Sequence, residues 1–121
     1  MSEKKILVID DEDFIRELVK DFLELEGVQC QDAETLNEAM KLLETETFDL
    51  ILLDRNLGEI RTEDFIPELK KKSRNNVPIL LLTGDQLDYP LLKGVGANGI
   101  IFKPFQVSDF LDTIHKYLEN Q

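Results

Sequence analysis

A chain of 121 residues that is 42% hydrophobic fits one domain with a real core and leaves no room for a second. Its net charge of −11, from 14 basic and 25 acidic residues, excludes a surface built for nucleic acid or anionic membranes and favours cationic partners or divalent ions. A single cysteine, Cys30, rules out an intrachain disulfide, and the N-terminal apolar run is too short for a signal peptide or a membrane span, so a cytoplasmic setting is expected.

Short apolar runs then alternate with helical patterns five times. The first strand, Lys5–Asp10, carries Ile6-Leu7-Val8-Ile9 into Asp10-Asp11. A helix is predicted from Asp13 to Glu26, with Phe14, Leu18, Phe22 and Leu25 at helical spacing and Gly27 as its stop. The short second strand, Val28–Asp32, alternates as an edge strand does. Thr35 and Glu38 form a capping box for a second helix whose inward stripe is Leu36, Ala39, Met40 and Leu43. The third strand, Asp49–Leu53, runs into Asp54, and a helix over Glu63–Lys72 turns Phe65, Ile66 and Leu69 inward. The fourth strand, Pro78–Leu82, runs into Thr83. A short fourth helix is predicted over Gln86–Val95, weakened by Pro90 and Gly94. The fifth strand, Gly99–Phe102, runs into Lys103-Pro104, and the last helix covers Val107–Glu119.

Strands alternating with helices imply right-handed crossovers and a parallel sheet covered on both faces. The first, third and fourth strands are apolar throughout, as central strands should be. Sites in such sheets form at the carboxyl ends of the strands. Asp10, Asp11, Asp54, Thr83 and Lys103 all fall there. Two unit charges about 5 Å apart repel by roughly 3 kcal/mol at an effective dielectric of about 20. Three clustered carboxylates therefore call for a cation, and magnesium suits an oxygen set that keeps waters and a phosphate oxygen. No His or Cys joins the group, which argues against zinc. A carboxylate held beside a cation can attack phosphorus, with Lys103 and Thr83 placed to meet the charge of the transferred group.

These residues resemble the CheY-like receiver domain of two-component response regulators. The resemblance rests on Ile-Leu-Val-Ile-Asp10-Asp11-Glu12, Leu-Ile-Leu-Leu-Asp54, Leu-Leu-Leu-Thr83-Gly84 and Gly96-Ala97-Asn98-Gly99-Ile-Ile-Phe-Lys103-Pro104-Phe105, in order, over residues 1–121 as a single domain. It implies a flavodoxin-like sheet of strand order 2-1-3-4-5. It implies that Asp54 takes a phosphoryl group from the phosphohistidine of a histidine kinase or histidine phosphotransfer protein. Magnesium, with manganese as an alternative, would be bound by Asp11 and Asp54, by Asp10 through water, and by the backbone carbonyl of Asn56. Thr83 would be the switch hydroxyl, Lys103 the phosphate partner and the Lys103–Pro104 bond cis. Asn56 and Asp85 would tune hydrolysis of the acyl phosphate. Such a domain is a signalling phosphoacceptor, not a turnover enzyme. Its output goes to a protein target or to a C-terminal effector domain missing from this chain.

Two departures stand out. Ile100 occupies the position, three before the lysine, where the family carries Tyr or Phe, and Gly58 stands four after the phosphoacceptor, where proline is common. Two other functions fit parts of the pattern. A haloacid-dehalogenase-like phosphatase would use Asp11 as nucleophile with Asp13 two residues on, but leaves Asp54 without a role. A receiver-shaped interaction module that is never phosphorylated would account for Ile100 but not for the intact acids, Thr83 and Lys103. Taken alone, Asp10 and Asp11 also suit the N-terminus of the first helix. His115, Lys70-Lys71-Lys72 and Cys30 are read as surface, helix-end and packing residues.

Overall fold

The computed structural model describes residues 3–73, 76–84 and 94–119. Five parallel strands form the central sheet: β1 (Lys5–Ile9), β2 (Gln29–Ala33), β3 (Leu50–Asp54), and two more after a small hairpin. That hairpin pairs β4 (Asn56–Leu57) with β5 (Ile60–Arg61) in antiparallel fashion. The remaining sheet strands are β6 (Ile79–Thr83) and β7 (Gly99–Phe102). The order β2-β1-β3-β6-β7 is the expected 2-1-3-4-5 order with the hairpin set aside. Among the described residues the α-helices are α1 (Asp13–Glu24), α2 (Leu36–Thr45), α3 (Ile66–Lys72) and α4 (Val107–Glu119).

The period-two rule of strands divides the core into two layers. Leu7, Ile9, Ile51, Leu53, Ile79 and Leu81 pack with Ala39 and Leu43 of α2 and with Ile66 and Leu69 of α3. Ile6, Val8, Leu50, Leu52, Leu80, Leu82 and Ile101 pack with Val19 and Leu23 of α1 and with Phe110, Ile114 and Leu118 of α4. Every residue of β3 and β6 is buried, so the unalternating sequences of these strands match their two covered faces. On β2 the exposed residues alternate with covered ones, as at an edge.

Two predicted elements shift. The inward stripe of α1 is Val19 and Leu23, flanked by Ile15 and Phe22, whereas Phe14 and Leu25 are 61% and 76% exposed. The helix stops at Glu24, so Leu25 lies past its end, and Phe14 lies in its first turn. The third helix begins as a 3-10 turn over Thr62–Phe65 and becomes α only at Ile66. Pro67 lacks the N–H that an α-helix begun at Glu63 would need there, but is suited to a fresh start. The fourth predicted helix and Asp85 lie outside the described residues, except that Gly94 and Val95 form a turn with Gly96.

Candidate functional site

Register brings the polar residues level. Ile9 pairs with Leu53, so Asp10 and Asp54 end adjacent strands side by side. Asp54 pairs with Leu82, and Leu82 with Ile101, which sets Lys103 two residues farther along. Asp10, Asp54 and Lys103 continue the parity of Val8, Leu52 and Ile101 and so point to the same side of the sheet. Thr83 ends β6, 2% exposed, and accepts the backbone N–H of Lys103 on its own carbonyl at 2.8 Å. The chain bends at Asp11, which turns that side chain back toward Asp10.

The two buried carboxylates are held alike. Asp10 is fully buried; its Oδ1 accepts the Glu12 N–H at 2.9 Å, and its Oδ2 faces Lys103 Nζ at 3.0 Å. Asp54 is 6% exposed; its Oδ1 accepts the Asn56 N–H at 3.1 Å, and its Oδ2 lies 3.3 Å from Lys103 Nζ. Burial, and then the negative charge of Asp10, push the Asp54 carboxyl up to about 6, against the opposing pull of the Asn56 N–H and Lys103. Burial works against the charge on Lys103, yet its hydrogen bond to Asp10 and the charges of Asp54 and Asp10 hold its pKa above the ordinary value. The Lys103–Pro104 peptide is cis.

Ligand atoms of Asp10, Asp11, Glu12 and Asp54 lie within 4.8 Å of one another. This all-oxygen set fits a hard divalent cation and offers nothing to a soft metal. Glu12 is an addition to the expected group: its carboxylate lies 4.0 Å from Lys103 Nζ. In the sequence it is the third residue of the Asp10-Asp11-Glu12 run and is assigned no ligand role there. Asp13, which the phosphatase alternative requires, is outside the group and pairs with Arg16. Asn56 stands beside Asp54 on the hairpin. Ile100 is half-buried against the layer formed by α2 and α3. Burial raises the Cys30 thiol to about 12, which keeps it unreactive.

Three further residues support the site without any motif to announce that role. Thr62 Oγ1 donates to the Asp54 carbonyl, and the Gly58 N–H donates to Asp11 Oδ2 at 3.0 Å. Arg16 braces the same loop by donating to the Asp10 carbonyl at 2.7 Å.

The response regulator receiver domain model matches residues 6–115, and the chain belongs to that family. It is thus a receiver domain of the two-component class, with the flavodoxin-like fold of its relatives. The transcriptional regulatory protein CpxR homolog of Haemophilus influenzae is 33% identical over 118 residues, covering 94% of this chain and 50% of that protein. The phosphate regulon regulator PhoB of Escherichia coli is 35% identical over 114 residues, covering 92% and 50%. The chain spans about half the length of these curated relatives. Among solved structures, a CheY-like receiver domain protein from Methanospirillum hungatei superimposes with a TM-score of 0.87 at 30% identity, covering 98% of this chain and 96% of that one. TrrA of Thermotoga maritima, solved with magnesium and beryllofluoride, gives 0.83 at 33%, covering 95% and 99%. Among the described residues, no helix is long and apolar enough to cross a membrane.

Proposed function

We propose that Asp54 accepts a phosphoryl group from the phosphohistidine of a histidine kinase or histidine phosphotransfer protein. The observation that carries this is the position of Lys103 Nζ between two buried carboxylates, at 3.0 Å from Asp10 and 3.3 Å from Asp54. An Asp54 oxygen attacks phosphorus, the bond from phosphorus to the imidazole nitrogen breaks, and the imidazole leaves. Asp11, Asp54 and the Asn56 carbonyl would hold magnesium directly, with Asp10 acting through water; manganese suits the same donors. A cation held by these residues would supply positive charge to offset that of the phosphoryl oxygens. Lys103 exchanges its contact with Asp54 for one with the phosphoryl group, and the Thr83 hydroxyl donates to another of its oxygens.

Residues 1–121 act in this proposal as one receiver domain in the cytoplasm, a phosphoacceptor that catalyses its own modification and slow hydrolysis. Asn56 and Asp85 set the hydrolysis rate. Phosphorylation changes contacts with a protein target or a following effector domain, and the acidic surface does not itself bind nucleic acid. The test is intact-mass measurement after incubation with acetyl phosphate and magnesium. A single phosphate adduct that disappears in Asp54→Ala supports the proposal. No adduct in the wild type would sink it, and continuous turnover stopped by Asp11→Ala but not by Asp54→Ala would point to a phosphatase.

A further inference from the structure

We infer that the backbone N–H of Gly58 is the positioning donor for Asp11, so that the hairpin after β3 straps across the site and sets this carboxylate before a cation arrives. The inference rests on Asp11 being a cation ligand, as proposed above. Asp11 is exposed at a bend, where a short side chain would otherwise sample several rotamers. Its carboxylate makes one hydrogen bond among the described residues, from Gly58 N to Oδ2 at 3.0 Å, across 47 positions of sequence.

The donor sits on a stiff support. Asn56 pairs with Arg61 and Leu57 with Ile60, leaving Gly58 and Glu59 as a two-residue turn. Gly58 has φ +61 at the first turn position, where a type II′ hairpin calls for glycine. Behind the turn, Thr62 N donates to the Arg55 carbonyl at 2.7 Å and Thr62 Oγ1 to the Asp54 carbonyl, which closes the loop directly onto the phosphoacceptor strand. Leu57 is buried and anchors the hairpin to the core. The amides of Asn56 and Gly58, two residues apart, thus address two carboxylates of one site: Asp54 and Asp11. One hydrogen bond on Oδ2 leaves lone pairs of Asp11 for a cation.

The test compares magnesium affinity, by amide NMR titration of the donor-free protein, in the wild type, Gly58→Ala and Gly58→Pro. An added Cβ at position 58 meets nothing within 4 Å, so alanine keeps the amide and adds only backbone strain. Proline removes the amide and, with φ fixed at about −65°, also cannot keep the +61 of this turn, so a loss there counts for the Gly58 amide only together with the exchange measurement. The expected result is affinity within about twofold in Gly58→Ala and about fivefold weaker in Gly58→Pro, the latter equal to about 1 kcal/mol. A second measurement needs no metal: hydrogen exchange at the Gly58 amide is expected to speed up severalfold in Asp11→Ala, and in the wild type to slow further when magnesium is added. Wild-type affinity in Gly58→Pro, unchanged exchange in Asp11→Ala, or faster exchange with magnesium would each overturn the role of Gly58. A wild type that binds no magnesium would instead overturn Asp11 as a ligand, which separates the two failures.

Discussion

Thr62 donates its hydroxyl proton to the backbone carbonyl oxygen of Asp54 at 2.5 Å, with Thr62 wholly buried. Asp54 is therefore held from behind by a side chain eight positions later. Thr62→Val keeps the shape and removes the donor. Urea unfolding is expected to show a loss of about 1–2 kcal/mol, with Thr62→Ser close to wild type.

Lys103 is the counter-charge for Asp10 and Asp54. Lys103→Met leaves two buried carboxylates facing each other. Thermal melts in a chelator should show a metal-free protein weakened by roughly 3 kcal/mol, and excess magnesium should recover much of the loss by supplying another cation. Equal melting of the two proteins without metal would count against this role for the lysine.

The Asp54 carboxyl, ordinarily near 3.8, titrates near 6 in the fold. The folded state thus keeps this proton to higher pH than the unfolded chain does. The resulting stability is fully present below about pH 4 and is lost as pH rises through 6. Asp54→Asn should remove that dependence and make the metal-free protein more stable than wild type at pH 7.5, by about 1 kcal/mol once solvent screening at the site mouth is allowed for. Denaturant titrations at pH 4 and 7.5 in a chelator check the sign.

Tyr117 on α4 reaches over β7 to donate to the Asn98 carbonyl at 2.7 Å. A Cβ on Gly99 would stand 2.4 Å from its hydroxyl oxygen and 3.0 Å from Leu80 Cδ2. Gly99→Ala should cost about 1–3 kcal/mol by overpacking. Tyr117→Leu added to it should recover part of that loss, whereas additive losses in the double variant would place the clash elsewhere.

The sheet and its polar edge were legible because four apolar runs each stop on a polar residue at the same edge; Asp10, Asp54 and Lys103 share one parity, and Thr83, one step past Leu82, has the other. Burial on both faces leaves a run without alternation, and that pattern survives any detail of packing. The hairpin Asn56–Arg61 was not legible, since strands of two residues carry no period. Gly58 looked like a departure from a pattern, and its amide acquired a partner only when β1 and β3 lay side by side. The rotation of α1 differs from the one its spacing predicts for a related reason. Its sequence offers two apolar stripes, and the shorter helix decided between them. Glu12 follows Asp10 and Asp11 in sequence, but only the fold brings Lys103 Nζ to 4.0 Å from its carboxylate.

The backbone bond between Lys103 N and the Thr83 carbonyl has a mechanical meaning. Both residues are anchored to neighbouring parallel strands, so the distance between their Cα atoms is set by the sheet and not by what lies beyond its edge. A charge arriving there meets jaws of fixed width whose teeth alone can turn. Adjustment at that point is torsional, while the ruler against which it is measured stays still.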